Sequence, residues 1–142
     1  MGELRDPNSA LSSDEIEALK MNQGIINRMA ENSSKMKKFY LTGCAALTAL
    51  YKIDSDIQVW KILVVFLIMS FMLWYLDAKY LMLERQFRKH HNAIVNGEVT
   101  YLGQWNFNPN RYKVDGLYET MCSFSVCLYP ISIIICILLF II

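Results

Sequence analysis

From Ser12 onward the apolar positions Ile16, Leu19, Ile26, Met29, Met36 and Phe39 recur at helical spacing. Lys20, Asn27, Arg28, Glu31, Asn32, Lys35 and Lys38 lie between them. Such a stripe predicts an amphipathic helix over 14–38. Ser12 or Ser13 is placed to cap it, and Glu15 or Glu17 to sit in its first turn. Gly24 interrupts the pattern at a cost of only about 1 kcal/mol. Beyond Lys38 the alternation stops. FYLTGCAALTALY (39–51), ILVVFLIMSFMLWYL (62–76) and MCSFSVCLYPISIIICILLFII (121–142) carry no charge at all. A run of about 18 or more such residues reads as a transmembrane helix.

These runs divide the chain. Residues 1–13 are expected to be a flexible N-terminus, and 14–38 a cytoplasmic amphipathic helix. A first transmembrane helix and turn occupy 39–57, a second transmembrane helix 58–76, and a cytoplasmic helical stalk 77–96. A cytoplasmic connection covers 97–116, and a third transmembrane helix 117–142. The first segment is short: 13 uncharged residues between Lys38 and Lys52 give about 20 Å of helix. A re-entrant or interfacial helix stays open there, although the next apolar run follows after a short turn and favours a spanning hairpin. Asn96-Gly97 is an ordinary helix end. The aromatic-rich connection after it fits either a short hairpin or an irregular folded segment.

Composition and charge sharpen this reading. The chain has 142 residues, and 19% of them are charged, below the soluble average of about 25%. With the charge-free runs, this excludes a small water-soluble domain. Six Lys or Arg precede the first apolar run (Arg5, Lys20, Arg28, Lys35, Lys37, Lys38), and six follow the second (Lys79, Arg85, Arg88, Lys89, Arg111, Lys113). The intervening turn has only Lys52 and Lys61. Positive residues beside spans stay inside, so the expected topology is multi-pass with the N-terminus cytoplasmic and the C-terminus outside. The expected fold class is an all-α membrane protein: three transmembrane helices, the first two extending as cytoplasmic helices.

The chemistry-bearing residues fall in three groups. In the last apolar run Cys122, Ser125, Tyr129, Ser132 and Cys136 recur three and four apart. They form a small, weakly polar edge that either lines a pore or packs helices. Pro130 is expected to kink that helix. Pro130, Ile133 and Ile137 are the candidate kink or gate. On the stalk, Asp77, Tyr80, Glu84, Arg85, Phe87 and Arg88 are candidates for assembly or coupling. A carboxylate just below an apolar run is costly unless wet or paired, and Arg85, a neighbour's Lys79 or the lysines at 35–38 could pair with Asp77. Lys35, Lys37, Lys38, Arg85, Arg88, Lys89, His90, His91 and Trp105 are candidates for lipid or phosphate contact. Trp105 and Phe107 are alternatively interfacial anchors. HExxH, a phosphate loop and a nucleophile elbow are all missing from the sequence. No catalytic residue, metal site or cofactor is assigned, and the chain is not read as an enzyme.

Two stretches, IINRMAENSSKMKKFYL (25–41) and WYLDAKYLMLERQFRKHHNAIV (74–95), resemble the small bacterial membrane-effector subunits of antiviral defence systems. On this resemblance Asn32, Ser33, Lys35 and Lys37 map to the entry motif. Asp77, Tyr80, Glu84, Arg85, Phe87 and Arg88 map to the exit motif. The resemblance implies an oligomeric channel or pore-type effector in the bacterial inner membrane, closed at rest and controlled from its cytoplasmic side. Its implied partners are membrane lipid, further copies of the chain, and a cytoplasmic nucleotide, oligonucleotide or protein regulator. The alternative is a membrane anchor or assembly subunit that docks a cytoplasmic partner without conducting ions.

Overall fold

The computed structural model describes residues 10–53 and 58–141. Most of the expected flexible N-terminus, the turn between the first two apolar runs and the final residue lie outside the described residues. Among those described, the regular structure is entirely helical. Two long helices, α1 (Ser13–Ile53) and α2 (Val59–Val95), form an antiparallel pair. At 1.5 Å per residue each is about 55–60 Å long.

Local chemistry sets both ends of this pair. Ser12 and Glu15 form a capping box: Ser12 Oγ accepts from the Glu15 amide at 3.2 Å, and Glu15 Oε2 accepts from the Ser12 amide at 2.7 Å. At the other end α2 stops in a Schellman motif. Glu98 N–H reaches the Ala93 carbonyl at 2.9 Å and Gly97 N–H the Ile94 carbonyl at 3.1 Å. This turn requires the left-handed φ of 71° at Gly97, where a Cβ would be penalised.

The connection 97–116 contains no strand. It holds one helical turn, α3 (Tyr101–Gln104), capped by Thr100, and a 3-10 turn (Pro109–Arg111) capped by Asn108. The irregular segment rather than the hairpin is what forms. Trp105 and Tyr112 pack on a cluster of Ala18, Ala93, Ile94 and Val99. Trp105 is therefore part of a small core joining the connection to α1 and α2, and not a free stacking face.

The third apolar run departs from a single helix over 117–142. It forms α4 (Leu117–Met121), a 3-10 turn (Phe124–Val126) and α5 (Leu128–Ile141). The break falls at Cys122 and Ser123. This also removes the expected proline kink. Pro130 is the third residue of α5, where a backbone N–H has no intrahelical partner to lose, so proline is tolerated without bending the helix.

Helix α2 is long and apolar enough to cross a membrane, and only 6% of its most apolar window is buried. A core helix of a water-soluble protein would show the reverse. Val64, Val65, Ile68, Phe71 and Met72 point outward, as do Phe39 and Leu41 of α1 and Ile131, Ile134, Ile135 and Leu138 of α5. On α1 the buried face is Ala18, Asn22, Ile26, Ser33 and Tyr40, while Ile16 and Phe39 of the expected apolar stripe are exposed.

Candidate functional site

The polar face of α1 follows helical spacing: Asn22, Ser33, Lys37, Tyr40, Cys44 and Thr48 fall on one side. It meets a face of α2 that carries Ser70 and Asp77. Where the apolar part of α2 ends, Asp77 is fully buried. Ser33 Oγ donates to Asp77 Oδ1 at 2.5 Å. Lys37 Nζ donates to Oδ1 at 3.2 Å and to Ser33 Oγ at 3.0 Å, and closes to 2.9 Å of Oδ2. That last approach is ionic and lies outside hydrogen-bond alignment. Among the pairings open from sequence, the structure selects Lys37. Its side chain retains 31% of its accessibility while Asp77 has none, so the pair is buried on one side and reachable on the other.

The third apolar run completes this cluster. Tyr129, fully buried on α5, presents its hydroxyl beside Asp77 without a hydrogen-bond partner. Its ring stands edge-on to Tyr40 with centroids 4.8 Å apart. Tyr40 OH bonds Ser132 Oγ of α5. Ser70 Oγ reaches Tyr40 OH at 3.3 Å and donates to the Phe66 carbonyl at 2.7 Å. Ser132 Oγ also donates to the Tyr129 carbonyl at 2.8 Å. Apart from the Tyr129 hydroxyl and Asp77 Oδ2, the polar groups of these three helices hydrogen-bond one another inside an apolar exterior, which offsets the cost of burying them.

Beyond this layer α5 separates from the hairpin. A groove of about 580 Å³ opens there, lined by Cys44, Thr48, Phe66, Ser132, Ile135 and Cys136, with Leu47, Val59, Ile62 and Leu63 completing the wall. The weakly polar edge read from sequence is therefore split. Tyr129 and Ser132 pack against the chain's own α1 and α2, and Cys136 lines the groove. Cys122 and Ser125 are exposed, because the helix break turns them away. Ile133 is buried within the subunit, whereas Ile137 is exposed, so they do not share one environment.

In the charged part of α2 the other candidates are mostly engaged. Glu84 and Arg88 pair along the helix at 2.7 Å. Arg85 reaches Asp115 at 2.6 Å, and Lys89 donates to the Lys113 carbonyl at 2.6 Å, so both tie the connection to α2. Lys35 pairs with Glu31, which lowers the Glu31 carboxyl below its usual range. Phe87 is buried and its carbonyl accepts from Asn22 Nδ2 at 3.0 Å. Tyr80 and His91 are half-buried, and Lys38 is exposed. His90 is buried: Nε2 donates to the Gln104 carbonyl and Nδ1 accepts from Tyr112 OH, each at 3.2 Å. Phe107 stands edge-on to His90, not in an exposed anchor position. Burial holds His90 below its ordinary pKa; the Gln104 contact opposes this, while Arg111 and His91 add to it.

Tyr40, Ser70, Asn22, Gln104 and Asp115 were not singled out from sequence. For the first three the signal was present: each lies on the same helical face as Ser33 and Lys37 or Asp77. The last two are brought in by an irregular connection that periodicity does not describe. Comparison with protein-family models, with curated proteins and with solved structures finds no match to this chain.

Proposed function

We propose that the chain is a multi-pass membrane subunit that assembles with further copies into a channel or pore-type effector, closed at rest and controlled from the cytoplasmic side. The crossings are the apolar parts of α1 and α2 together with α5. The N-terminus and connection face the cytoplasm of a bacterial cell, and the C-terminus faces outward. Antiviral defence is the setting suggested by the likeness of 25–41 and 74–95.

The observation that carries this reading is the Asp77–Lys37–Ser33 cluster with Tyr129 against it. An ionisable pair at a membrane boundary is costly to keep and marks a functional point by default. Here it joins both arms of the hairpin to the foot of α5, so a push on the α1–α2 stalk reaches the third crossing through one contact. The arrangement corresponds to the closed state: the hydroxyl edge of α5 is turned onto its own hairpin, and the groove beside Cys136 leaves α5 room to move.

The test is ion flux through vesicles containing the purified protein. The unsubstituted protein is expected to be silent at rest and Asp77→Asn to leak. Absence of flux in both, with the oligomer intact, would contradict the channel reading. A second reading, a non-conducting anchor or assembly subunit, is favoured by one observation: Tyr129 and Ser132 are spent on contacts within the subunit. Cysteine labelling at positions 125, 129, 132 and 136 separates the two. Uniform protection in every state supports the anchor, and water-accessible reactivity along one edge supports the lumen.

A further inference from the structure

Three of the chain's exposed large apolar side chains stand out: Leu102 at 80%, Tyr118 at 80% and Phe124 at 91% accessibility. Leu102 lies on α3, in the connection. Tyr118 and Phe124 lie on either side of the break that divides the third apolar run, on α4 and on the 3-10 turn. Their depth along the bundle is fixed by one hydrogen bond, from Trp74 Nε1 to the Met121 carbonyl at 3.1 Å. Trp74 is one turn inside Asp77 on α2, and Tyr129 lies beside Asp77. The α4–turn segment therefore sits at the level where the apolar exterior of α2 gives way to charge.

We infer that this segment is a docking surface for phospholipid of the cytoplasmic leaflet, with Tyr118 and Phe124 immersed at the boundary between acyl chains and headgroups. The inference rests on the membrane reading above. Three features point to lipid as the occupant. The surface adjoins the outward apolar belt of α2 through Trp74, whose ring lies 6.0 Å from that of the exposed Phe71 and whose Nε1 holds Met121 between Tyr118 and Phe124. Aromatic side chains are favoured at this depth. Cations of the same level are available to anionic headgroups: Lys38 is exposed, and Lys79 lies over the Tyr75 ring at 5.8 Å.

Hydroxyl-radical footprinting of the unsubstituted full chain tests this, in vesicles of phosphatidylcholine and phosphatidylglycerol. Tyr118 and Phe124 are expected to lose their modification, while Leu102, equally exposed but far from the apolar belt, keeps it. Modification of Tyr118 and Phe124 as heavy as that of Leu102, with Phe71 and Ile134 protected, overturns the inference and leaves the membrane reading standing. Modification of Phe71 and Ile134 as well overturns both. As a second measurement, an electron paramagnetic resonance label at Phe124→Cys, with the four native cysteines replaced, is expected to be more accessible to oxygen than to a water-soluble nickel chelate. The reverse order counts against the inference.

Discussion

In the charged part of the bundle Ala18, Ile26, Phe87, Ala93 and Ile94 are inside, and Glu31, Lys35 and Arg88 face out. In the apolar part the exterior changes: Val65, Ile68, Phe71 and Met72 face out, while Ser70, Asp77, Tyr40 and Tyr129 lie inside with Val126 and Ile133, as the polar Asn22 and His90 lie inside the charged part. The same two helices run through both parts, so the change of exterior is not a difference of secondary structure. On the membrane reading proposed above it reflects a difference of solvent. Water rewards an apolar interior, whereas lipid gives no such reward, and packing and hydrogen bonds between helices take over.

Two of the ion pairs of α2, Asp77–Lys37 and Glu84–Arg88, separate the two environments by the size of their effects. Replacing Lys37 by methionine leaves Asp77 buried without its countercharge, and an uncompensated buried charge costs about 3–5 kcal/mol. A large drop in unfolding midpoint in lipid or detergent is expected, recovered in large part by adding Asp77→Asn. Failure of the second substitution to rescue would mean that the pair is not the source of the loss.

A smaller effect is expected at His90, in the charged part. Its folded pKa lies below the ordinary value of 6.5 because burial disfavours the imidazolium. The unfolded chain therefore takes up the proton first. The stabilisation is complete above that ordinary value. It declines as pH falls through the lowered folded pKa, and levels off once both states are protonated. Stability measured against pH should fall on the acid side of 6.5, and His90→Gln should flatten that limb. An unchanged profile in the variant would remove His90 as its source.

Tyr40→Phe deletes the hydroxyl shared by Ser132 and Ser70, at about 1 kcal/mol. Faster proteolysis or exchange in α5 than in the α1–α2 pair would register it, and equal change in both would argue against Tyr40 as the clasp on α5. The smallest effect belongs to Arg88→Met. It breaks a pair whose arginine is 61% accessible, and such pairs contribute about 0.2–1 kcal/mol. A loss as large as that of Lys37→Met would erase the distinction between the two environments.

Much of the hairpin was legible in the sequence. The capping box at Ser12 and Glu15 and the end at Asn96-Gly97 both follow from local patterns. The third run was not, because an apolar composition is the same for a helix, a 3-10 turn and a break, and nothing in hydropathy marks Cys122–Ser123. The misreading of Pro130 came with it, since proline kinks a helix only when it lies past the first turn. Asp77 was legible as a residue that needs a partner. Which lysine served it depended on rotation about α1, and the stripe of Asn22, Ser33, Lys37 and Tyr40 held that information while the more hydrophobic Ile16 and Phe39 drew attention to another face.

If the apolar exterior of the bundle lies in lipid and α5 makes the third crossing, the two ends of the described chain lie on opposite sides of the membrane. Paired topology reporters in bacterial cells, one ahead of Ser13 and one behind Ile142, read this out. A cytoplasmic signal is expected from the first and an extracytoplasmic signal from the second. Cytoplasmic signals from both would contradict it, because the third crossing would then not exist.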